Sequence, residues 1–231
     1  MGLFVFHTLI AADPSLGETM GGVRPETDER EPQTIDEVMQ LLAQNGGIEA
    51  RFHESRQIAI LEEPVISTGM FYFAPPDLLA RHVTAPGRLR IVVRDGRVSF
   101  RDETGVHTLE LGSSEVARAL VGNTMLLMRG DHKALVEQYQ VSFRVDGDIW
   151  TLDLEPRNRV VRRIIRRLRV QGRGGELIRM ESTETNGDLT LTTFSEVKRG
   201  IEFSAEALEE IFSIRPAPDP TAVSSHVETV R

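Results

Sequence analysis

Apolar residues follow two different periods along this chain. Between residues 34 and 45 they recur at helical spacing and define one face. These residues are Ile35, Val38, Met39 and Leu42. Thr34 and Glu37 have the spacing of a capping box at the start of this segment, and Gly46-Gly47 follow its end. The pattern predicts a helix near the start of the domain.

From Ile48 onward the period changes to two, or to short apolar runs between turns, which is typical of strands. The predicted strands are Arg51–Leu61, Ile66–Phe73, Arg88–Arg94, Arg97–Asp102, Val106–Leu111, Gln140–Val145, Ile149–Glu155, Glu176–Glu184 and Leu189–Val197. Asp95-Gly96, Asp146-Gly-Asp148 and Asn186-Gly187 stand between successive strands and favour tight hairpin turns. Local hairpins predict neighbouring strands that run antiparallel.

Three further segments predict helix. Ser113–Met128 interrupts the strand pattern and has a serine cap, and Ala134–Tyr139 can form a short turn of helix. Ser204 caps a last short helix near the end of the domain, with apolar residues following it. Helical crossovers between strands are therefore too few for a doubly wound fold. The fold class is mainly β: one antiparallel sheet that curls into a barrel or half-barrel.

The basic segment Arg159–Arg169 has two interpretations. Its apolar residues fit one face of a helix, with arginines on the other, as in a basic amphipathic helix that seeks an anionic membrane. The alternative is a helical turn that runs into a strand with solvated arginines, and Gly172–Gly175 and the strands after it favour that alternative.

Composition indicates one globular domain with an extension at each end. We assign residues 34–213 to the domain, 1–33 to an N-terminal segment and 214–231 to a flexible tail. Leu3–Ala12 is either the remnant of an export signal or an ordinary N-terminal segment, since no basic residues precede it, and an irregular arm follows it. The net charge of −8 argues against nucleic-acid binding. The chain has no cysteine, which excludes disulfides and thiolate metal sites.

No sequence pattern indicates catalysis. The six histidines show no ligand spacing, and the nucleophile, phosphate-loop and dinucleotide motifs are missing, so we predict no enzyme, no metal and no cofactor. Apolar features are more informative. Met70–Phe73 is apolar on both faces of a strand, and Met125–Met128 is apolar all round. Together with a curled sheet they indicate an apolar cavity with a helix over it.

The order of several short motifs resembles the periplasmic outer-membrane lipoprotein carriers, the LolA-like family. The predicted helix leads into Ile48-Glu-Ala-Arg-Phe52, then Ser67-Thr-Gly-Met-Phe-Tyr-Phe-Ala-Pro-Pro-Asp-Leu-Leu79 and Pro86-Gly-Arg-Leu-Arg-Ile-Val-Val-Arg-Asp-Gly96. The motifs at Arg129-Gly-Asp131, Trp150–Pro156 and Glu184–Asp188 look like a divergent branch. The resemblance covers roughly residues 34–213.

This resemblance implies an unclosed half-barrel with helices covering its concave face, and a cavity for acyl chains of lipoproteins or another lipid. It implies a periplasmic carrier that acts between an inner-membrane donor and an outer-membrane acceptor, and we expect a monomer. The expected cavity residues are Phe71, Phe73, Leu79, Val83, Met125, Leu126 and Met128. The family's lid arginine is replaced by Pro75, while Arg81 is nearby but shifted. The alternative is a structural or interaction module of the same fold with a filled core.

Overall fold

A single antiparallel sheet forms the body of the protein. The computed structural model describes residues 31–113, 122 and 124–214, and within them eleven strands form one sheet. The strands are β1 Gly47–Gln57, β2 Val65–Ala74, β3 Leu78–Ala85, β4 Leu89–Arg94, β5 Arg97–Asp102, β6 Gly105–Glu110, β7 Tyr139–Asp146, β8 Ile149–Pro156, β9 Ile165–Arg173, β10 Glu176–Glu184 and β11 Leu189–Ile201. The described helices are α1 Ile35–Ala43, α2 124–129, α3 His132–Gln138, α4 Arg159–Arg162 and α5 Ala205–Ile211.

The sheet is an unclosed half-barrel. Its spatial order is β6-β5-β4-β3-β2-β1-β11-β10-β9-β8-β7, so β6 and β7 are the two open edges. Each neighbouring pair is antiparallel, and all but one pair is consecutive in the chain. The exception is β1 with β11, which joins the N-terminal and C-terminal halves of the sheet. The predicted fold class is confirmed.

The predicted hairpin turns are confirmed by their backbone geometry. Asp95 and Gly96 have φ angles of 51° and 72°, and they connect β4 to β5 with Arg94 paired to Arg97. Both central residues therefore adopt the left-handed conformation that a two-residue hairpin needs. Gly187, with φ of 96°, lies in the turn between β10 and β11.

One strand was missed in the sequence. Leu78–Ala85 is β3, which pairs with β2 on one side and β4 on the other. Its turn from β2 contains Pro75 and Pro76, and the prolines obscured how short the connection is. The expected helix Ser113–Met128 is helical at 124–129, while residues 114–121 lie outside the described part, as do residues 1–30 and 215–231.

Helices α1, α2 and α3 pack on the inner face of the sheet. The capping box of α1 is confirmed, since the Glu37 amide donates to the Thr34 hydroxyl and the Glu37 carboxylate accepts from the Thr34 amide. Buried side chains of the three helices join those of the strands in one core. The helical members are Val38, Met39, Leu42, Met125, Leu127, Met128 and Leu135.

Helix α5 lies on the opposite, outer face. Phe212 at its C-terminal end is fully buried with Ala74, Ala80 and Val92, whose side chains alternate with those of the inner core. Ser204 caps α5, as the sequence predicts. Helices α1 to α3 thus cover the concave face, as expected, and α5 packs on the outer face. An apolar outer face on β2 to β4 has to be buried as well, and α5 buries it.

The basic segment is not an amphipathic helix. Asn158 caps α4, which has only four residues, and β9 begins three residues after α4 ends. Residues 165–173 pair with β8 and β10, so the backbone groups of this segment are satisfied as a strand. Its side chains Ile165, Leu168 and Val170 are buried on the inner face. Of the two interpretations, the helical turn that runs into a strand is confirmed.

None of the helices in the described residues is long and apolar enough to cross a membrane.

Candidate functional site

A cavity of about 340 Å³ lies on the inner face between the two halves of the sheet. Strands β1 to β4 form one wall, and β9 to β11 form the other, with Thr124 of α2 contributing from the helical side. The apolar lining residues are Phe52, Phe71, Leu79, Ile91, Val93, Ile165, Leu168, Met180 and Phe194. The volume is at the lower end of those of ligand pockets in proteins.

Strand register explains why these side chains meet. Phe71 on β2 pairs with Arg81 on β3, and Phe52 on β1 pairs with Phe194 on β11. Residues paired across an antiparallel sheet point to the same face, so each strand contributes alternate side chains to the cavity wall. The rings of Phe71 and Phe194 make an edge-to-face contact with centroids 5.4 Å apart. This contact links the two halves of the apolar wall.

One end of the cavity is polar. The Glu54 carboxylate accepts a hydrogen bond of 2.8 Å from the Thr192 hydroxyl, and Ser67 lies 3.5 Å from its other oxygen. Ser182, Glu184, Thr190 and Thr192 also line this end. The cavity is therefore amphipathic, with aromatic and aliphatic groups at one end and carboxylates and hydroxyls at the other.

Arg81 stands at the boundary between the apolar and polar ends. Its guanidinium carbon lies 4.0 Å from the centroid of the Phe52 ring, and its Nη2 is 2.8 Å from Oε2 of Glu54. The ion pair is close, but its approach is not aligned for a hydrogen bond. Both Nε and Nη2 are buried, and neither has a hydrogen-bond partner among the described residues. Buried donors without an acceptor are costly, so a ligand oxygen or a water would be favoured here.

A second, more open cavity of about 550 Å³ shares Glu54, Arg81 and Ile91 with the first. Val83 and the β3–β4 turn line it, together with the turn between β5 and β6. The Glu54–Arg81 pair thus separates two spaces along the inner face of β1 to β4.

The rim near the β10–β11 turn is held by ion pairs. Arg56 lies 3.6 Å from Glu184 and 3.4 Å from Asp188. Asp188 is buried, and its carboxylate accepts a hydrogen bond from the Ala59 amide. That hydrogen bond is the main reason that the pKa of Asp188 is lowered, and Arg56 lowers it further. The Asp188 carboxylate is therefore stabilised in its charged form.

The expected cavity residues are distributed over three places. Phe71 and Leu79 line the 340 Å³ cavity, and Val83 lines the second one. The other four are buried: Phe73, Met125 and Met128 belong to the inner core, and Leu126 is also buried. These three places share the inner face of the sheet.

Sequence reasoning did not identify the wall that β9 to β11 contribute, or the Glu54–Arg81 pair. Alternation along Glu176–Glu184 and Leu189–Val197 gives each strand two faces, but it does not say which face is inside. The inner face of these strands is fixed by the pairing of β1 with β11, which sets Phe194 opposite Phe52. That pairing joins residues more than 130 positions apart in the chain.

Helix α2 is tied to the β2–β3 turn at the edge of the site. The Arg129 guanidinium donates from Nε to the Pro76 carbonyl at 2.9 Å and pairs with the Asp77 carboxylate. The turn contains Pro75 as well as Pro76. Arg129 therefore connects this covering helix to the sheet.

No group of three or more histidine, aspartate or glutamate side chains suited to a metal occurs among residues 31–113 and 124–214. The groups at the site are acceptors, hydroxyls, one guanidinium and an apolar wall. Such a set can bind an amphiphile: the apolar wall takes hydrocarbon, and the polar end takes oxygen-containing groups.

A family model described as outer membrane lipoprotein carrier protein LolA-like matches residues 29–210. Among solved structures, the chain is similar to a LolA superfamily protein from Nitrosomonas europaea, with 9% identity, a TM-score of 0.43, and coverage of 78% of this chain and 96% of that one. A DUF1329 family protein from Desulfovibrio piger shows 12% identity, a TM-score of 0.45, and coverage of 74% and 92%.

The Pseudomonas aeruginosa MucA/MucB complex contains a chain with 13% identity and a TM-score of 0.43, with coverage of 75% of this chain and 58% of that one. No curated protein matches the sequence.

Proposed function

Because this chain belongs to the LolA-like family of outer membrane lipoprotein carrier proteins, we propose that it carries acylated ligands in the periplasm. The ligand is the acyl part of a lipoprotein or another lipid, and it occupies the inner-face cavity. The observation that carries this proposal is the cavity of about 340 Å³ with a mainly apolar wall between the two halves of the sheet. The proposed role is non-enzymatic and requires no cofactor.

The physical basis is the removal of hydrocarbon from water. Each methylene transferred from water to an apolar site is worth about 0.8 kcal/mol, so a chain of several carbons binds without any specific contact. The aromatic pair Phe71 and Phe194 supplies part of that apolar surface. The hydroxyls and carboxylates at the other end suit the polar part of the ligand, and Arg81 offers donors to a carbonyl or ester oxygen.

All seven residues expected from the sequence have a place in this proposal. Phe71 and Leu79 contact the acyl chain directly, and Val83 lines an extension of the site. Phe73, Met125 and Met128 belong to the core that holds α2 over the sheet, and Leu126 is buried on the same helix. Methionines adapt well to changes in packing, which suits a helix that has to move when a ligand enters.

We also propose that the carrier works as a monomer and exchanges its ligand with an inner-membrane donor and an outer-membrane acceptor. The second candidate function is an interaction module with a filled core. The volume of the cavity argues against it, because a packed interior has few voids larger than a water molecule.

The test is the lipid content of the full chain purified from a periplasmic fraction. We expect native mass spectrometry and solvent extraction to find a bound lipid, and a hydrophobic reporter dye to bind after its removal. Ser182→Trp fills the polar side of the cavity wall and should reduce both signals severalfold. Ser142→Trp introduces the same side chain at an exposed position of β7 and is the matched control.

Neither lipid nor dye bound to the wild-type chain would contradict the carrier proposal. An equal loss of binding in Ser142→Trp and Ser182→Trp would place the binding outside the cavity.

A further inference from the structure

The charge of this protein is unevenly distributed. The whole chain has a net charge of −8, yet residues 157–173 contain eight arginines and no acidic residue. A segment of such strong positive charge in an acidic protein is an electrostatic feature that the carrier function does not explain.

Four of the eight arginine side chains are used within the fold. Arg157 donates to the carbonyls of Val136 and Tyr139. The ion pairs of the other three are Arg167 and Arg169 with Asp153 and Arg173 with Asp148. These four side chains therefore hold strands and turns together.

The other four form what we term the arginine patch: Arg159, Arg162, Arg163 and Arg166. All four are exposed, and none has a side-chain hydrogen bond or an ion pair within the described residues. They lie on α4 and at the start of β9, within eight consecutive positions. Val160 lies among them with 41% of its surface exposed, while Val161 is buried and anchors the turn.

The arginine patch lies beside the polar end of the cavity. The Thr185 amide donates to the Ile164 carbonyl at 2.9 Å, and its hydroxyl donates to the Arg163 carbonyl at 2.5 Å. Ile165 and Glu184, the chain neighbours of these residues, line the cavity. The patch and the cavity rim are thus parts of one end of the half-barrel.

We propose that the arginine patch docks this end of the protein on the surface of an anionic lipid bilayer. Clustered arginines around an exposed apolar side chain are the combination that binds the interface of anionic membranes. The β1–β2 loop, which contacts the β10–β11 turn through Ala59 and Asp188, carries Glu62 and Glu63. The approach to the bilayer is therefore by α4 and not by that loop.

Docking in this orientation brings the rim of the cavity next to the lipid. This part of the argument rests on the proposed carrier function, since an acyl ligand has to leave or enter a membrane. The electrostatic part does not depend on that function, and vesicle binding can be measured whether or not the cavity holds a ligand.

The experiment is co-sedimentation of the full chain with vesicles. One set consists of phosphatidylcholine alone, and the other contains phosphatidylglycerol at about a third of the lipid. Each arginine near an anionic surface strengthens binding about fivefold, so the variant Arg159→Gln/Arg162→Gln/Arg163→Gln should bind the anionic vesicles about 100-fold more weakly. Binding should also fall at high salt and be lost on the neutral vesicles.

The matched control is Arg97→Gln/Lys133→Gln/Lys198→Gln, which removes three exposed positive charges that do not line either cavity. It should bind like the wild type. If the control loses as much affinity as the patch variant, net charge and not the patch explains binding. If the wild-type chain does not bind anionic vesicles at low salt, the proposal is wrong, and an acidic protein surface becomes the alternative partner.

Discussion

Arg129 at the end of α2 forms an ion pair with Asp77 in the β2–β3 turn, and it also donates to the neighbouring Pro76 carbonyl at 2.9 Å. This contact fastens the helix that covers the cavity to the half of the sheet that carries Phe71 and Leu79. Pro75 lies in the same turn, directly before Pro76.

Arg129→Met should loosen α2 without unfolding the protein. Both partners are partly exposed, so we expect a loss of only about 0.5–1.5 kcal/mol in the free energy of unfolding. The amides of residues 125–128 should exchange hydrogen faster, and a dye in the cavity should dissociate faster. The control Arg97→Met removes an exposed ion pair with Glu110 at the β5–β6 edge and should leave both rates unchanged. Unchanged α2 exchange in Arg129→Met would show that the contact does not hold the helix.

Gly69 on β2 allows the backbone of β3 to lie closer than it could to a residue with a Cβ atom. A Cβ at this position would lie 1.9 Å from the His82 carbonyl oxygen and 2.9 Å from the Phe52 ring. Gly69→Ala should therefore displace β3 and destabilise the protein by about 1–3 kcal/mol or more in urea unfolding. Gly87→Ala, at a glycine with no atom within 4 Å of an added Cβ, is the control and should change stability little. Equal stability of the two variants would refute this prediction.

His82 should make stability depend on pH below neutrality. Burial lowers its pKa from the ordinary value of 6.5, and Arg90 lowers it further, although the hydrogen bond to the Ile211 carbonyl opposes the shift. The unfolded chain therefore binds this proton at a higher pH than the folded chain. Stability should fall as the pH drops below about 6.5 toward the lower folded value.

His82→Gln keeps a donor for the Ile211 carbonyl but cannot titrate, so part of this pH dependence should disappear. Thermal unfolding between pH 5 and pH 8 measures the change. His107→Gln, on the exposed edge strand β6, is the control and should retain the wild-type dependence. An unaltered pH profile in His82→Gln would mean that His82 does not titrate in this range.

Asp153 should contribute acid sensitivity at lower pH. Burial alone would raise its pKa, but hydrogen bonds from Arg169 at 2.8 Å and from Arg144 at 2.6 Å outweigh burial, so the pKa is lowered from 3.8. The stability that this carboxylate provides is present above about pH 4 and is lost as the pH falls through the lower folded value.

In Asp153→Asn, we expect lower stability at pH 7 and a flatter decline below pH 4, measured by urea unfolding at several pH values. Asp148→Asn alters a more exposed carboxylate paired with Arg173 and should have a smaller effect. A steeper acid decline in Asp153→Asn would contradict the sign of the shift.

The amino-acid sequence by itself determined the local elements of this protein. Thr34 and Glu37 define where α1 begins, because their side chains satisfy the free amides of that turn. Asp95-Gly96 and Asn186-Gly187 place two hairpins, because few residues tolerate the backbone angles that these turns require. Phe71 and Leu79 were expected in the cavity from the family resemblance, and both lie in the cavity wall.

Only the tertiary structure decided which distant segments face each other. The pairing of β1 with β11 sets Phe52 against Phe194 and Glu54 against Thr192, and no local pattern encodes a contact across that separation. The segment Arg159–Arg169 had two interpretations, since its arginines and apolar residues fit a helix as well as a turn that runs into a strand. Pairing of Ile165–Arg173 with β8 and β10 decides between them. The Arg129–Asp77 contact likewise depends on where a helix end meets a turn, which is a property of packing and not of sequence spacing.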